Sequence, residues 1–98
     1  MSFQIIFKPL AQEEIAEAHQ WYQQAHIDMG DAFLAELERV SHFIENNPRL
    51  YACVEDEIRR ANFNRFPYSL FYVIDGQTVN ILSCFHQHRR PSKKCPVP

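Results

Sequence analysis

The residues best suited to chemistry crowd into one short stretch behind the last apolar run of the chain, FHQHRRPSKK, Phe85 to Lys94. Imidazole exchanges protons near neutral pH, and guanidinium groups grip phosphates or carboxylates through paired, planar hydrogen bonds. His86, expected where a strand ends beside Arg89, is the foremost candidate for binding or proton transfer, with His88 and Arg90 following it. A second cationic group, Arg59, Arg60 and Arg65, lies upstream. Arg60 and Arg65 suit contact with an acidic or phosphorylated surface, whereas Arg59 is expected at the rim beside the helices. Each has a structural alternative: a histidine bonded to the rim of the sheet, or arginines lying over it and paired with Glu55 and Glu57.

Cys84, His86 and His88 would share one face of an uninterrupted strand, and these are ligand types that transition metals prefer. No fourth ligand accompanies them, so neither a metal nor any other cofactor is expected. The three cysteines, Cys53, Cys84 and Cys95, cannot all pair with one another and form no CxxC motif, so reduced thiols are expected.

A small scaffold must hold these side chains. With 98 residues, 46% of them hydrophobic, and only two glycines, the chain fits a single domain over residues 1–90 and a flexible tail over 91–98. Ten Lys and Arg against twelve Asp and Glu lack the basic excess of a dedicated nucleic-acid binder. The charge is uneven, however, acidic from Glu13 to Glu57 and basic afterwards, which implies one acidic and one basic face. Neither a signal peptide nor a membrane-spanning run is visible, so a cytoplasmic protein is expected.

Phe3, Ile5 and Phe7 alternate as in a short strand, and Pro9 interrupts it. From Ala11 to about Ala25 the period becomes helical, with Ile15, Ala18, Tyr22 and Ala25 opposite Glu13, Glu17, Gln20 and Gln24. Trp21 adjoins Tyr22 and so falls off that seam, which leaves it partly exposed as a possible contact residue. Met29, Phe33, Leu37, Val40 and Ile44, widened by Ala32, Glu36 and Phe43, mark a second helix capped by Asp28 or Asp31 and stopped at Asn47-Pro48. The short link predicts an antiparallel helical hairpin.

Three strands follow, Ile58 to Asn64, Tyr68 to Ile74 and Val79 to Phe85. Asp75-Gly76 is a favoured two-residue hairpin turn of type I′, which would set Tyr72 opposite Val79 and Leu70 opposite Ile81. That register gives the helices a face of Leu70, Tyr72, Ile74, Val79, Ile81 and Phe85. The open face then carries Ser69, Phe71, Val73, Asn80, Leu82, Cys84 and His86, joined by Arg60, Asn62 and Asn64. The expected fold is α+β, in the order β-α-α-β-β-β, with the hairpin on one face of a mainly antiparallel sheet.

The order of elements and two segments resemble the RelE/ParE superfamily of bacterial toxin–antitoxin toxins. IRRANFNRFPYSLFYVID, Ile58 to Asp75, is similar to the ParE-type stretch in which an Ile-Arg-Arg strand leads through Phe-Pro-Tyr to an aromatic strand and an acidic turn. ILSCFHQHRRP keeps the ParE-like spacing of His86, Arg89 and Pro91 behind the final strand. The resemblance implies a toxin held by a cognate antitoxin, for which Trp21 and Glu17 on the first helix are the candidate contacts. It implies a target contacted by Arg60, Arg65, His86, His88, Arg89 and Arg90: DNA gyrase for the ParE branch, or the ribosome and messenger RNA for the RelE branch. A nuclease would use Arg60, His86 and Arg89 to activate the 2′-hydroxyl and stabilise the charged phosphorane. Ser69 where such nucleases often carry arginine, and no tyrosine after Tyr72, favour the ParE-like reading, with no firm catalytic residue. A further alternative is a solitary, non-toxic member that only binds a partner.

Overall fold

The change of period after Phe7 is a strand running straight into a helix. In the computed structural model, which describes residues 3–88, β1 (Gln4–Phe7) is followed by α1 (Pro9–Ala25) with Lys8 as its N-cap. Pro9 therefore begins the helix instead of merely ending the strand, because a proline at the first helical position gives up only an N–H that has no intrahelical partner. Arg89, Arg90 and the expected tail from Pro91 lie outside the described residues.

One residue joins the two helices. His26, with extended backbone at φ −168°, ends α1 and caps α2 (Ile27–Asn46). Its N–H donates to the Tyr22 carbonyl at 2.9 Å, and its Nδ1 accepts from the Asp28 N–H at 3.1 Å. An imidazole thus takes the capping role expected of Asp28 or Asp31, and Asp28 instead lies in the first turn, where its charge suits the helix dipole. The helices pass so closely at Gly30 that an added Cβ would lie 2.9 Å from Cβ of Gln23.

The sheet has the order β1-β5-β4-β3-β2, with β1 parallel to β5 and the other pairs antiparallel. Its remaining strands are β2 (Cys53–Glu55), β3 (Ile58–Asn62), β4 (Tyr68–Asp75) and β5 (Thr78–His86). The α+β class and the helical hairpin match the expectation, and β2 is an addition to it. Three exposed residues carry no readable alternation, and β2 exists through its pairing with β3 across a turn at Asp56, φ +51°.

Phe33, Val40 and Ile44 of α2 and Ala11, Ala18 and Tyr22 of α1 close over Ala61, Leu70, Tyr72, Val79 and Ile81. The Tyr72 hydroxyl donates to the Pro48 carbonyl at 2.6 Å, and burial pushes its pKa above the ordinary tyrosine value. A second, smaller cluster of Ile58, Phe71 and Leu82, flanked by Val73 and Phe85, occupies the opposite face.

The hairpin register departs from expectation twice. Asp75 pairs with Thr78, so the turn is Gly76-Gln77, and only Gly76 has a positive φ, +62°. A type I′ turn needs positive φ at both central residues, and a glycine-first turn needs it only at the first. Moving the turn by one residue sets Tyr72 opposite Ile81 and Ile74 opposite Val79, which preserves the faces. The second departure does not preserve them. Between Tyr72–Ile81 and Phe71–Ser83 the ladder contains a bulge that leaves Leu82 as the extra residue of β5. Beyond it, Cys84 lies opposite Leu70, Phe85 opposite Ser69 and His86 opposite Tyr68. Cys84 and His86 therefore lie on the helix side, while Phe85 joins the second cluster, the reverse of the expected assignment.

Candidate functional site

The bulge is held from α1 by a side chain outside the candidate groups of the sequence. Glu14 Oε1 accepts from the Ser83 hydroxyl at 2.6 Å and from the Cys84 N–H at 2.9 Å, binding the displaced part of β5 to the helix. The signal was present in the spacing: Glu14 stands three residues after Ala11 and four before Ala18, both buried, so it shares their side of the helix.

Above this contact, α1 and the ends of β4 and β5 enclose a groove of about 430 Å3, lined by Glu14, Glu17, Trp21, Tyr22, Tyr68 and His86 along with Ala18 and Cys84. Trp21 remains 67% exposed and meets Tyr22 edge-on, with ring centroids 5.3 Å apart. Across the groove the Tyr68 and His86 rings meet at 4.9 Å, and His86 and His88 at 5.8 Å. His88 donates its N–H to His86 Nδ1 at 3.1 Å, while Gln87 ties the strand end to Pro67 and Tyr68 through their carbonyls. The fold thus brings Trp21, Glu17 and His86 together.

It does not bring Arg60 to them. Arg60 pairs with Phe71, a member of the opposite-face cluster, whereas His86 pairs with Tyr68 in the main core. The expectation that Arg60 and His86 share a face is corrected by the Leu82 bulge. Arg60 instead lines a separate recess of about 330 Å3 with Arg39, Phe43, Tyr51, Asn62 and Asn64. Arg59, as expected, reaches the helix-side rim, donating to the carbonyls of Arg49 and Tyr51.

A carboxylate shapes the border of that recess. Glu36, 5% exposed, binds Arg39 through both oxygens, at 3.2 and 2.9 Å, and its Oε2 accepts the Asn64 N–H at 2.6 Å and the Arg65 N–H at 3.4 Å. These donors, Arg39 first, hold its pKa down to about 2 against the opposing effect of burial. Arg65 is therefore fixed by its backbone while its side chain stays exposed. Glu36 was legible as part of the α2 stripe, but its role as anchor of the Asn64–Arg65 loop was not.

Among the described residues no group of three His, Cys, Asp or Glu side chains is arranged to hold a metal ion. Cys84 is 2% exposed, and burial, aided by the Glu14 charge, pushes its thiol up to about 12. The thiolate is the reactive form. In a Cys53→Ser/Cys95→Ser variant, iodoacetamide at pH 8 should therefore leave the native protein unlabelled and modify one site after unfolding. Rapid labelling of the native variant would contradict this burial.

The whole arrangement, a helical hairpin closed over one face of a mainly antiparallel sheet with the first strand parallel beside the last, has a counterpart among solved structures. The solved structure described as the chromosomal ParDE TA system from P. aeruginosa matches it with a TM-score of 0.74 and 15% identity, over 86% of this chain and 95% of that one. No curated protein is significantly similar to the chain in sequence. The family model described as ParE toxin of type II toxin-antitoxin system, parDE, matches residues 5–91. The chain belongs to this ParE toxin family.

Proposed function

We propose that this ParE-family toxin arrests growth by binding DNA gyrase in the cytoplasm, and that a cognate antitoxin protein neutralises it by occupying the α1 groove. The observation that carries the choice of branch is the separation of Arg60 from His86 by the Leu82 bulge. A nuclease built on Arg60, His86 and Arg89 needs its acid, base and phosphate-binding cation around one phosphate, whereas Arg60 and His86 line separate recesses, one bordered by α2 and the other by α1. A binding toxin has no such requirement, because separate patches can meet one large partner surface. Among the described residues no helix is long and apolar enough to cross a membrane, in keeping with work on a cytoplasmic target.

In this reading Trp21 and Glu17 contact the antitoxin, while Arg60, Arg65 and the strand-end group His86, His88, Arg89 and Arg90 contact the target. His86 lines the same groove as Trp21 and Glu17. An antitoxin seated there covers the root of the basic C-terminal segment, so neutralisation follows from occupancy alone.

Induced expression in a bacterial host tests this. Growth and DNA replication should stop while messenger RNA stays intact, and co-expression of the cognate antitoxin should restore both. Message fragments cut at regular codon positions would overturn the gyrase reading in favour of ribosome-dependent cleavage, and the absence of arrest would leave a partner-binding protein.

A further inference from the structure

α1 carries Glu13, Glu14 and Glu17 and neither lysine nor arginine. Two of these carboxylates, Glu14 and Glu17, stand three residues apart, hence on one side of the helix, and both line the groove whose remaining walls are the rings of Trp21, Tyr22, Tyr68 and His86 with Ala18 and Cys84. An anion entering it would meet two negative charges. A purely apolar side chain would desolvate those charges without compensating them.

We infer that the groove is a receptor for an arginine side chain presented by a partner protein segment. A guanidinium plane lies over the exposed Trp21 ring by cation–π stacking while its N–H groups reach the carboxylates. An ammonium satisfies the charge but not the stacking or the forked geometry. Glu14 is already oriented by its bonds to Ser83 and Cys84, so little freedom is lost when a cation arrives. Both of those bonds fall on Oε1, and a carboxylate has roughly four lone-pair directions with which to accept more. The inference rests on the antitoxin reading only for the identity of the partner that carries the arginine.

Trp21 is the sole tryptophan of the chain, so its emission and indole N–H resonance report on this groove directly. N-acetyl-arginine amide is titrated into the full-length protein beside two comparators, the citrulline analogue, equal in shape but uncharged, and the lysine analogue. The arginine compound should give a saturable Trp21 change, with citrulline at least about 10-fold weaker and lysine between them, the loss of one charge-assisted contact. Glu17→Gln, an exposed substitution that spares the bulge, should weaken arginine binding several-fold, and Glu13→Gln, outside the groove, should not. Equal response to arginine and citrulline, or no saturable response, overturns the inference. So does a Trp21 shift in an Arg89→Gln/Arg90→Gln variant without added ligand, because the occupant would then be the chain's own C-terminal segment. The titration reads no toxicity, so it stands or falls separately from the growth-arrest experiment.

Discussion

Phe33→Ala lowers the unfolding free energy by about 3–5 kcal/mol, the range for deleting a fully buried aromatic ring from a core that cannot collapse around the gap. Phe33 is fully buried, stacked on Tyr22 at 5.6 Å and met by Phe66 at 5.5 Å, Tyr68 at 5.4 Å and Phe63 at 5.8 Å. These rings come from α1, the β3–β4 loop and the start of β4, so no single element can shift to fill the hole. A domain of this size has on the order of 5–15 kcal/mol in total, so the variant should lie near the threshold of folding. Urea unfolding followed by circular dichroism reads the change as a lowered midpoint, and Phe33→Leu, which retains much of the volume, should cost well under half as much. A loss below about 1 kcal/mol for the alanine variant would mean that these rings do not form one packed cluster.

Glu36→Gln has the second largest expected effect, on the order of 2 kcal/mol, and it carries a pH signature. The amide can still accept from Asn64, but it loses the ionic contact with Arg39 and one of the two oxygens that Arg39 uses. In the wild-type protein the Glu36 pKa falls from 4.5 to about 2 on folding. A depressed carboxylate contributes stability that is fully present above its unfolded pKa and disappears as pH falls through the folded one. The stability difference between wild type and Glu36→Gln should therefore be constant above about pH 5 and shrink between about pH 4.5 and 2. A gap that stayed constant down to pH 2 would show that the charge of Glu36 contributes nothing.

Long periodic segments were legible because burial repeats its demand every turn or every second residue. The stripe Phe33, Leu37, Val40 and Ile44 is such a case, and so is the aromatic run of β4, whose residues Tyr68 to Tyr72 are all buried. What escaped was decided by single contacts. The His26 cap depends on an imidazole nitrogen meeting one N–H, and β2 depends on its pairing with β3. The face of His86 depends on the bulge that Glu14 holds from a distant helix, and alternation cannot foresee a skipped step. Trp21 was readable as an off-seam residue, but its place in one groove with His86 required that bulge.

The extra residue at Leu82 also has a bearing on how such a protein could diverge. Closing that bulge at unchanged length, so that Leu82 takes the place opposite Phe71, would restore strict alternation and turn the side chains from Ser83 to His86 through half a rotation about the strand. Helix-side and open-side partners would exchange their view of the basic terminus without any change in residue type. Lineages sharing this scaffold could thus redirect the same strand-end residues through the bulge alone, and homologues without a carboxylate at the Glu14 position, which holds it, would be where to look for altered partner choice.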